Sequence, residues 1–319
     1  MNPLPRFLFS AAAVLAVSTL GAHPFDGPRE ALAARLKTDA ALRQALLQNA
    51  RPVTADFDYT RLLDKDTGVL LLGEQHGDPA ATREVNVILK SLAAHNGGCT
   101  HLASEFFLSE EQPALDAFSS KQITLEQLEK QLALPGYSSA AAVAVRYGLR
   151  PLGLDSSKAL ENPARAITPQ GMRERNRRWG EIIAQIARQD LTSRFILYAG
   201  AWHTQLAADS YPTMPAVLAE HGLKTKTAEF ANAGERHWRT LLEEGGLAER
   251  PVLIAVPPPY VKTVNADFII YLPAAKPLAG KTREQAEKMM GEKSFNWKHC
   301  TEDPDHPLCK IQLEFNRSK

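Results

Sequence analysis

Short apolar runs alternate along this chain with longer stretches in which leucine, alanine and isoleucine return every three or four residues. The runs read as buried strands and the stretches as amphipathic helices. Strands are predicted at Gly68 to Leu72, Thr100 to Phe106, Leu149 to Leu154, Phe195 to Ala199, Leu223 to Glu229, Val252 to Val256 and Phe268 to Leu272. Helices are predicted at Pro79 to Ala94, Thr124 to Leu132, Ser138 to Tyr147, Thr168 to Gln189 and Thr213 to His221. Asp78-Pro79 and Thr168-Pro169 each place a capping side chain before a proline at the first helical position. Strands alternating with helices predict an α/β fold, with a mainly parallel central sheet flanked by helices. A functional site is then expected at the carboxyl ends of the strands, where open α/β sheets hold their ligands.

The ends of the chain break this alternation. Residues 28 to 49 carry a helical pattern that precedes the first strand. Before it, Arg6 leads the apolar run Phe7 to Val17, and small residues follow from Ser18 to Ala22. That sequence predicts a signal peptide over residues 1–22, cleaved near Ala22, and a secreted or periplasmic protein with no membrane span in its mature form. The expected organisation is a leader at 1–22, a helical segment at 23–66, one α/β domain at 67–272 and a tail at 273–319. The tail carries a short helix, Arg283 to Met290, and two nearby cysteines, Cys300 and Cys309, which predict a disulfide in an exported chain. Cys99 is left over as a buried thiol, and pairings through it stay open.

Composition changes little. The chain has 319 residues, 44% of them apolar and 23% charged, which is ample for a large core. The formal net charge of +1 excludes a broad attraction to nucleic acid or to anionic membranes.

The chemistry concentrates at the predicted strand ends. Gly73-Glu74-Gln75-His76 follows the first apolar run, and Gly200-Ala201-Trp202-His203 follows the fourth. Between them, Glu105 interrupts the second run and Asp155 ends the third. In a parallel sheet these groups meet at one edge. Two imidazoles with carboxylates suit a divalent metal such as Mn, Co, Zn or Fe, with His76, Glu105, His203 and Asp155 as ligands. Such a metal supplies hydroxide near neutral pH, and a carboxylate such as Glu74 serves as base. The same groups also work without metal, through a carboxylate-oriented histidine. Each residue alone has a plainer reading: His76 in a loop, Glu105 paired with Arg146 or Arg175, Asp155 as a helix cap. On the Thr168 to Gln189 helix, Asn176 is the polar exception on an apolar face, and Arg175 lies beside it; both are candidates to orient substrate or steady a developing oxyanion. The remaining histidines have no comparable partner.

These motifs resemble the TIKI/TraB superfamily. Leu72 to Pro79 and Ala103 to Phe107, with Glu111-Gln112 and Leu115 to Phe118, are most similar to its ChaN-type haem-binding branch. Arg173 to Asn176 and Tyr198 to His203 look more like the TIKI side. The resemblance spans roughly residues 66–230 and reaches, more remotely, the erythromycin esterases. The TIKI side implies a metal-dependent protease, with Mn or Co favoured, built on His76, Glu105 and His203; read from the residues themselves, the substrate is a peptide or a small molecule. The ChaN side implies haem binding in iron acquisition, with His76, Tyr137, Tyr147 and Tyr198 as candidate ligands and Phe106, Phe107 and Trp202 as porphyrin-packing surface. The chain departs from ChaN lipoproteins in lacking a lipid-attachment cysteine near the leader. It departs from the esterases in spacing Glu74 and His76 two apart. An exported metal-dependent hydrolase is the first expectation, and a periplasmic haem-binding protein the alternative.

Overall fold

In the computed structural model, which describes residues 27–273 apart from Gly77 and Asn96, the apolar runs form the strands of one sheet. The expected leader at 1–22, the tail helix and the Cys300–Cys309 pair lie outside the described residues. Among the described residues no helix is long and apolar enough to cross a membrane.

Eight strands make the sheet: β1 (Ala50–Pro52), β2 (Val69–Glu74), β3 (His101–Leu108), β4 (Arg150–Asp155), β5 (Phe195–Gly200), β6 (Thr225–Asn232), β7 (Val252–Ala255) and β8 (Phe268–Leu272). Their order is β1-β7-β8-β6-β2-β5-β3-β4. From β8 across to β4 every pairing is parallel. β7 runs antiparallel to both of its neighbours, β8 and β1. The fold is therefore α/β with a mainly parallel sheet, as the alternation predicts. β5 lies between β2 and β3, which brings the two Gly-x-x-His motifs onto adjacent strands.

The period of two along each strand sorts side chains between two helical layers. Leu70, Leu72, Leu102, Ile196 and Tyr198 pack with Val85, Ile88 and Leu89 of the Pro79–Ala94 helix and with the Ser138–Arg146 helix. Val69, Leu71, Ala103, Phe195 and Leu197 pack on the opposite face against Trp179 and Ile183 of the Pro169–Gln189 helix and Met214 and Leu218 of the Met214–Glu220 helix. Both faces are buried, which is why the strands read as continuous apolar runs rather than as alternating ones.

Two predicted caps hold. Asp78 accepts from the Ala80 N–H at 2.8 Å, and Thr168 from the Gly171 N–H at 3.1 Å. The N-terminal segment is a helix pair, Gly27–Thr38 and Ala40–Gln48, joined by Asp39, whose side chain caps the second helix. Its leucines 32, 36, 42 and 46 share a cluster with Val252, Ile254, Ile269 and Tyr271 of β7 and β8, so this segment is built into the sheet's far end. Among the described residues Cys99 is a partly buried thiol without a disulfide partner, and burial pushes its pKa up to about 11.

Candidate functional site

β2 does not stop at Gly73. It continues to Glu74, with Gly73 in register with Ala199 of β5 and Glu229 of β6. Glu74 therefore shares the strand face of Leu70 and Leu72 and is buried. Gln75 leaves the strand and His76 turns outward, its side chain 47% exposed. β5 ends at Gly200 and passes at once into a single helical turn, Ala201–Thr204, which points His203 inward to 3% exposure. The two motifs are alike in sequence and opposite in placement: one histidine faces out, the other is sealed.

The motif glycines explain each other. A Cβ on Gly73 would stand 2.1 Å from Thr204 Oγ1 and 3.2 Å from Ala201 Cα, both in the turn that follows the second glycine. A Cβ on Gly200 would stand 2.7 Å from the His76 ring. Each glycine makes room for the other motif, so the two strand ends interlock.

Between them sits a buried ionic group. β3 shifts register against β4 between Ser104 and Leu108, and Glu105 lies within that irregularity. Its Oε2 accepts the Gly200 N–H at 2.5 Å, and its Oε1 accepts from Arg175 at 3.0 Å. Arg175 also grips Asp155 through two bonds, Nε to Oδ1 at 3.2 Å and a terminal nitrogen to Oδ2 at 2.7 Å. Its guanidinium lies 4.9 Å above the Trp179 ring. Burial alone would raise the pKa of Glu105. The positive charges of His76 and Arg175 and the Gly200 N–H outweigh it and bring the carboxyl down to about 2. Burial leaves Asp155 and Glu74 raised.

His76 bridges this group to the solvent. Its Nε2 is 3.5 Å from Glu105 Oε1 and its Nδ1 is 3.6 Å from Glu74 Oε1. Burial works to lower its pKa, but the two carboxylates prevail and the net shift is upward. Glu74 is held in turn by the Tyr198 hydroxyl and by the Tyr137 hydroxyl at 3.2 Å. The Tyr137 ring stacks on Phe106 at 3.8 Å between centroids, and Phe106 stands edge-on to His76 at 5.5 Å.

His203 belongs to a separate, deeper pair. Asn176 donates to the Pro212 carbonyl at 2.7 Å, so its own oxygen is the acceptor facing His203 Nδ1. That assigns the proton to Nδ1 and the lone pair to Nε2. Burial and the Arg175 charge push the His203 pKa well down, so the ring is neutral.

All eight predicted site residues thus lie at the carboxyl edge, but five expectations change. Asp155 is not free to bind a metal, because Arg175 occupies both of its oxygens. Asn176 does not face substrate; it orients His203. Tyr198 is fully buried, with its hydroxyl on Glu74 and within 3.0 Å of Thr82, and so presents no ligand to haem. Tyr147 follows the Ser138–Arg146 helix just before β4 and lies at the opposite, amino edge. The donor set does not fit a divalent metal: among the described residues no three His, Cys, Asp or Glu groups converge to hold one, and a guanidinium bridges the two carboxylates instead. Sequence reasoning missed Thr204, Gln75 and Glu235. Thr204 adjoins the second motif and Gln75 lies inside the first, but Glu235, which accepts from Gln75 at 2.9 Å, is signalled by nothing near it in sequence.

Residues 63–178 match the family described as haem-binding uptake, Tiki superfamily, ChaN. The matched segment includes Glu74, His76, Glu105, Asp155, Arg175 and Asn176 and stops before His203. No curated protein matches the chain. Among solved structures, a succinoglycan biosynthesis protein shares the fold at a TM-score of 0.51 and 10% identity, over 74% of this chain and 97% of that one. ChaN of Campylobacter jejuni, whose structure is described as showing cofacial haem binding, is similar at 0.42 and 13% identity, over 64% and 87%. The RRSP effector domain of a Vibrio vulnificus MARTX toxin is similar at 0.41 and 23% identity, over 66% of this chain and 41% of that one. Over residues 63–178 this chain is therefore similar to the haem-binding-uptake, ChaN family of the Tiki superfamily.

Proposed function

We propose that this protein binds haem at the carboxyl edge of the sheet, where the His76 imidazole would hold the iron. One observation carries the reading: among the described residues a single imidazole stands exposed at the edge, backed by two buried carboxyl groups, while Asp155 and Tyr198 are held by hydrogen bonds and His203 is sealed inside. A protein site for zinc takes three or four donors from the chain. Haem iron, held in its porphyrin, needs only one or two and accepts histidine. Glu74 and Glu105 flank the two ring nitrogens of His76. Whichever nitrogen serves the iron, the other keeps a carboxyl partner that fixes the ring. The stacked Phe106 and Tyr137 rings give flat aromatic surface beside the ligand. Arg175 holds Glu105 and Asp155 in place beneath, so the carboxylate behind His76 does not shift. The family match over residues 63–178 supports the same ligand, and the leader-like N-terminus supports a role in the periplasm or outside the cell. Haem titrated into purified protein is expected to give a shifted Soret band that saturates with stoichiometric haem. A spectrum that remains that of free haem throughout would refute the reading.

A second reading rests on a different observation. His76 lies beside ionised Glu105 and is open to solvent, an acid–base pair able to activate water without a metal. It predicts slow hydrolysis of small esters or peptides that survives chelator and disappears in His76→Ala. Equal turnover by wild type and variant would remove it.

A further inference from the structure

The His76 loop is pinned from the side opposite the ionic group. Gln75, just before His76, donates its amide to Glu235 Oε1 at 2.9 Å. Asp78, two residues after it, accepts from the Asn232 side chain at 3.3 Å. Asn232 ends β6 and Glu235 precedes the Arg236–Glu244 helix, so both anchors belong to one turn. Glu235 Oε1 also accepts the Asn232 N–H at 3.3 Å, which joins the two anchors to each other. The Glu235 side chain is only 13% exposed, and beside it Arg29 of the N-terminal helix pairs with Glu229 of β6. A buried carboxylate is a rigid acceptor, and a functional side chain keeps its geometry only when a supporting shell of this kind locks it.

We propose that Glu235, acting through Gln75, is a positioning residue for His76. It holds the first Gly-x-x-His loop against the end of β6, so that the imidazole stays over Glu74 and Glu105 in the orientation that meets the iron. The assignment rests on the haem reading given above, and it concerns residues that reach the ligand only through the loop. Outer partners of a ligating histidine typically change metal affinity by about ten- to a hundredfold. Glu235 is one link further away, so an effect of about tenfold is expected.

The test combines Glu235→Ala, Glu235→Gln, Gln75→Ala and the Glu235→Ala/Gln75→Ala double variant, with haem as the probe. Haem affinity and the ligation spectrum are read together with amide hydrogen exchange at residues 75 and 76. Glu235→Ala and Gln75→Ala should each weaken haem binding about tenfold and speed exchange in the loop. The double variant should be no worse than either single one, because one contact has been removed twice. Glu235→Gln keeps an acceptor oxygen and should restore both readouts. Wild-type affinity in both alanine variants, or losses that add, would overturn the inference. Should wild type itself bind no haem, the functional reading fails, and the exchange data decide the tether alone: faster loop exchange in Glu235→Ala and Gln75→Ala upholds it, and unchanged exchange rejects it.

Discussion

At the scale of single residues, the interlocked glycines govern the site. Gly200→Ala drives a methyl into the His76 ring, and a half-exposed ring has room to swing away. The variant should fold with near wild-type stability and lose haem ligation, read as the difference between its urea midpoint and its Soret titration. Gly73→Ala meets a buried hydroxyl and a backbone carbon that have no such freedom. Overpacking of that kind costs about 1–3 kcal/mol, measurable by urea denaturation, and Thr204→Ala should restore part of it. The residue types of this edge were legible in sequence, because Glu74, His76, Glu105, Asp155 and His203 all follow or interrupt apolar runs. Their roles were not. In sequence Asp155 and Asn176 look like open groups, because no linear pattern shows that Arg175 grips the one and His203 faces the other. Tyr198 was read as a ligand because burial at the end of β5 depends on the Pro79–Ala94 helix lying over it.

At the scale of elements, local signals proved reliable where they rest on backbone chemistry. Thr168 satisfies the first turn of the Pro169–Gln189 helix, and Thr168→Ala should cost about 1 kcal/mol in denaturant unfolding. The same helix delivers Arg175 and Asn176 toward the site while Trp179 and Ile183 anchor it on the sheet. Trp179 is fully buried, so Trp179→Ala should cost about 3–5 kcal/mol and also loosen Arg175, whose guanidinium lies over that ring. The first glycine misled the reading of β2. A glycine after an apolar run signals a turn, yet Gly73 stays in the ladder because the close approach of Ala201 and Thr204 demands a residue without a side chain. β1 escaped notice because three residues carry no period, and its pairing with β7 spans some 200 residues of chain.

At the scale of the whole molecule, the strand order assembles the site. Alternation along the chain predicts a parallel sheet but not that β5 inserts between β2 and β3; that insertion is a non-local choice, and it turns two distant motifs into one edge. Burial of ionisable groups then ties stability to pH. His203 is neutral in the folded protein and takes up a proton on unfolding near pH 6.5. Its pKa is depressed by folding, so its contribution is full above about pH 6.5 and declines as the pH falls below that value, by up to about 1.4 kcal/mol per pH unit. Glu235 acts in the opposite sense, since burial raises it to about 7 and folding there favours the protonated form. The total pH profile mixes such effects, but the difference between wild type and His203→Gln isolates one. Urea unfolding between pH 7.5 and 5 should show that difference shrinking steadily as the pH is lowered; a constant difference would mean that the ring titrates alike in the folded and unfolded states.

The account as a whole turns on the outward histidine. Haem titration of wild type beside His76→Ala, followed through the Soret band and the spectrum of the ferric complex, tests it most directly. The account predicts a histidine-ligated spectrum at stoichiometric haem in wild type, and loss of that ligation with at least about tenfold weaker binding in a variant that still unfolds cooperatively. Identical spectra and affinities in the two proteins would contradict it.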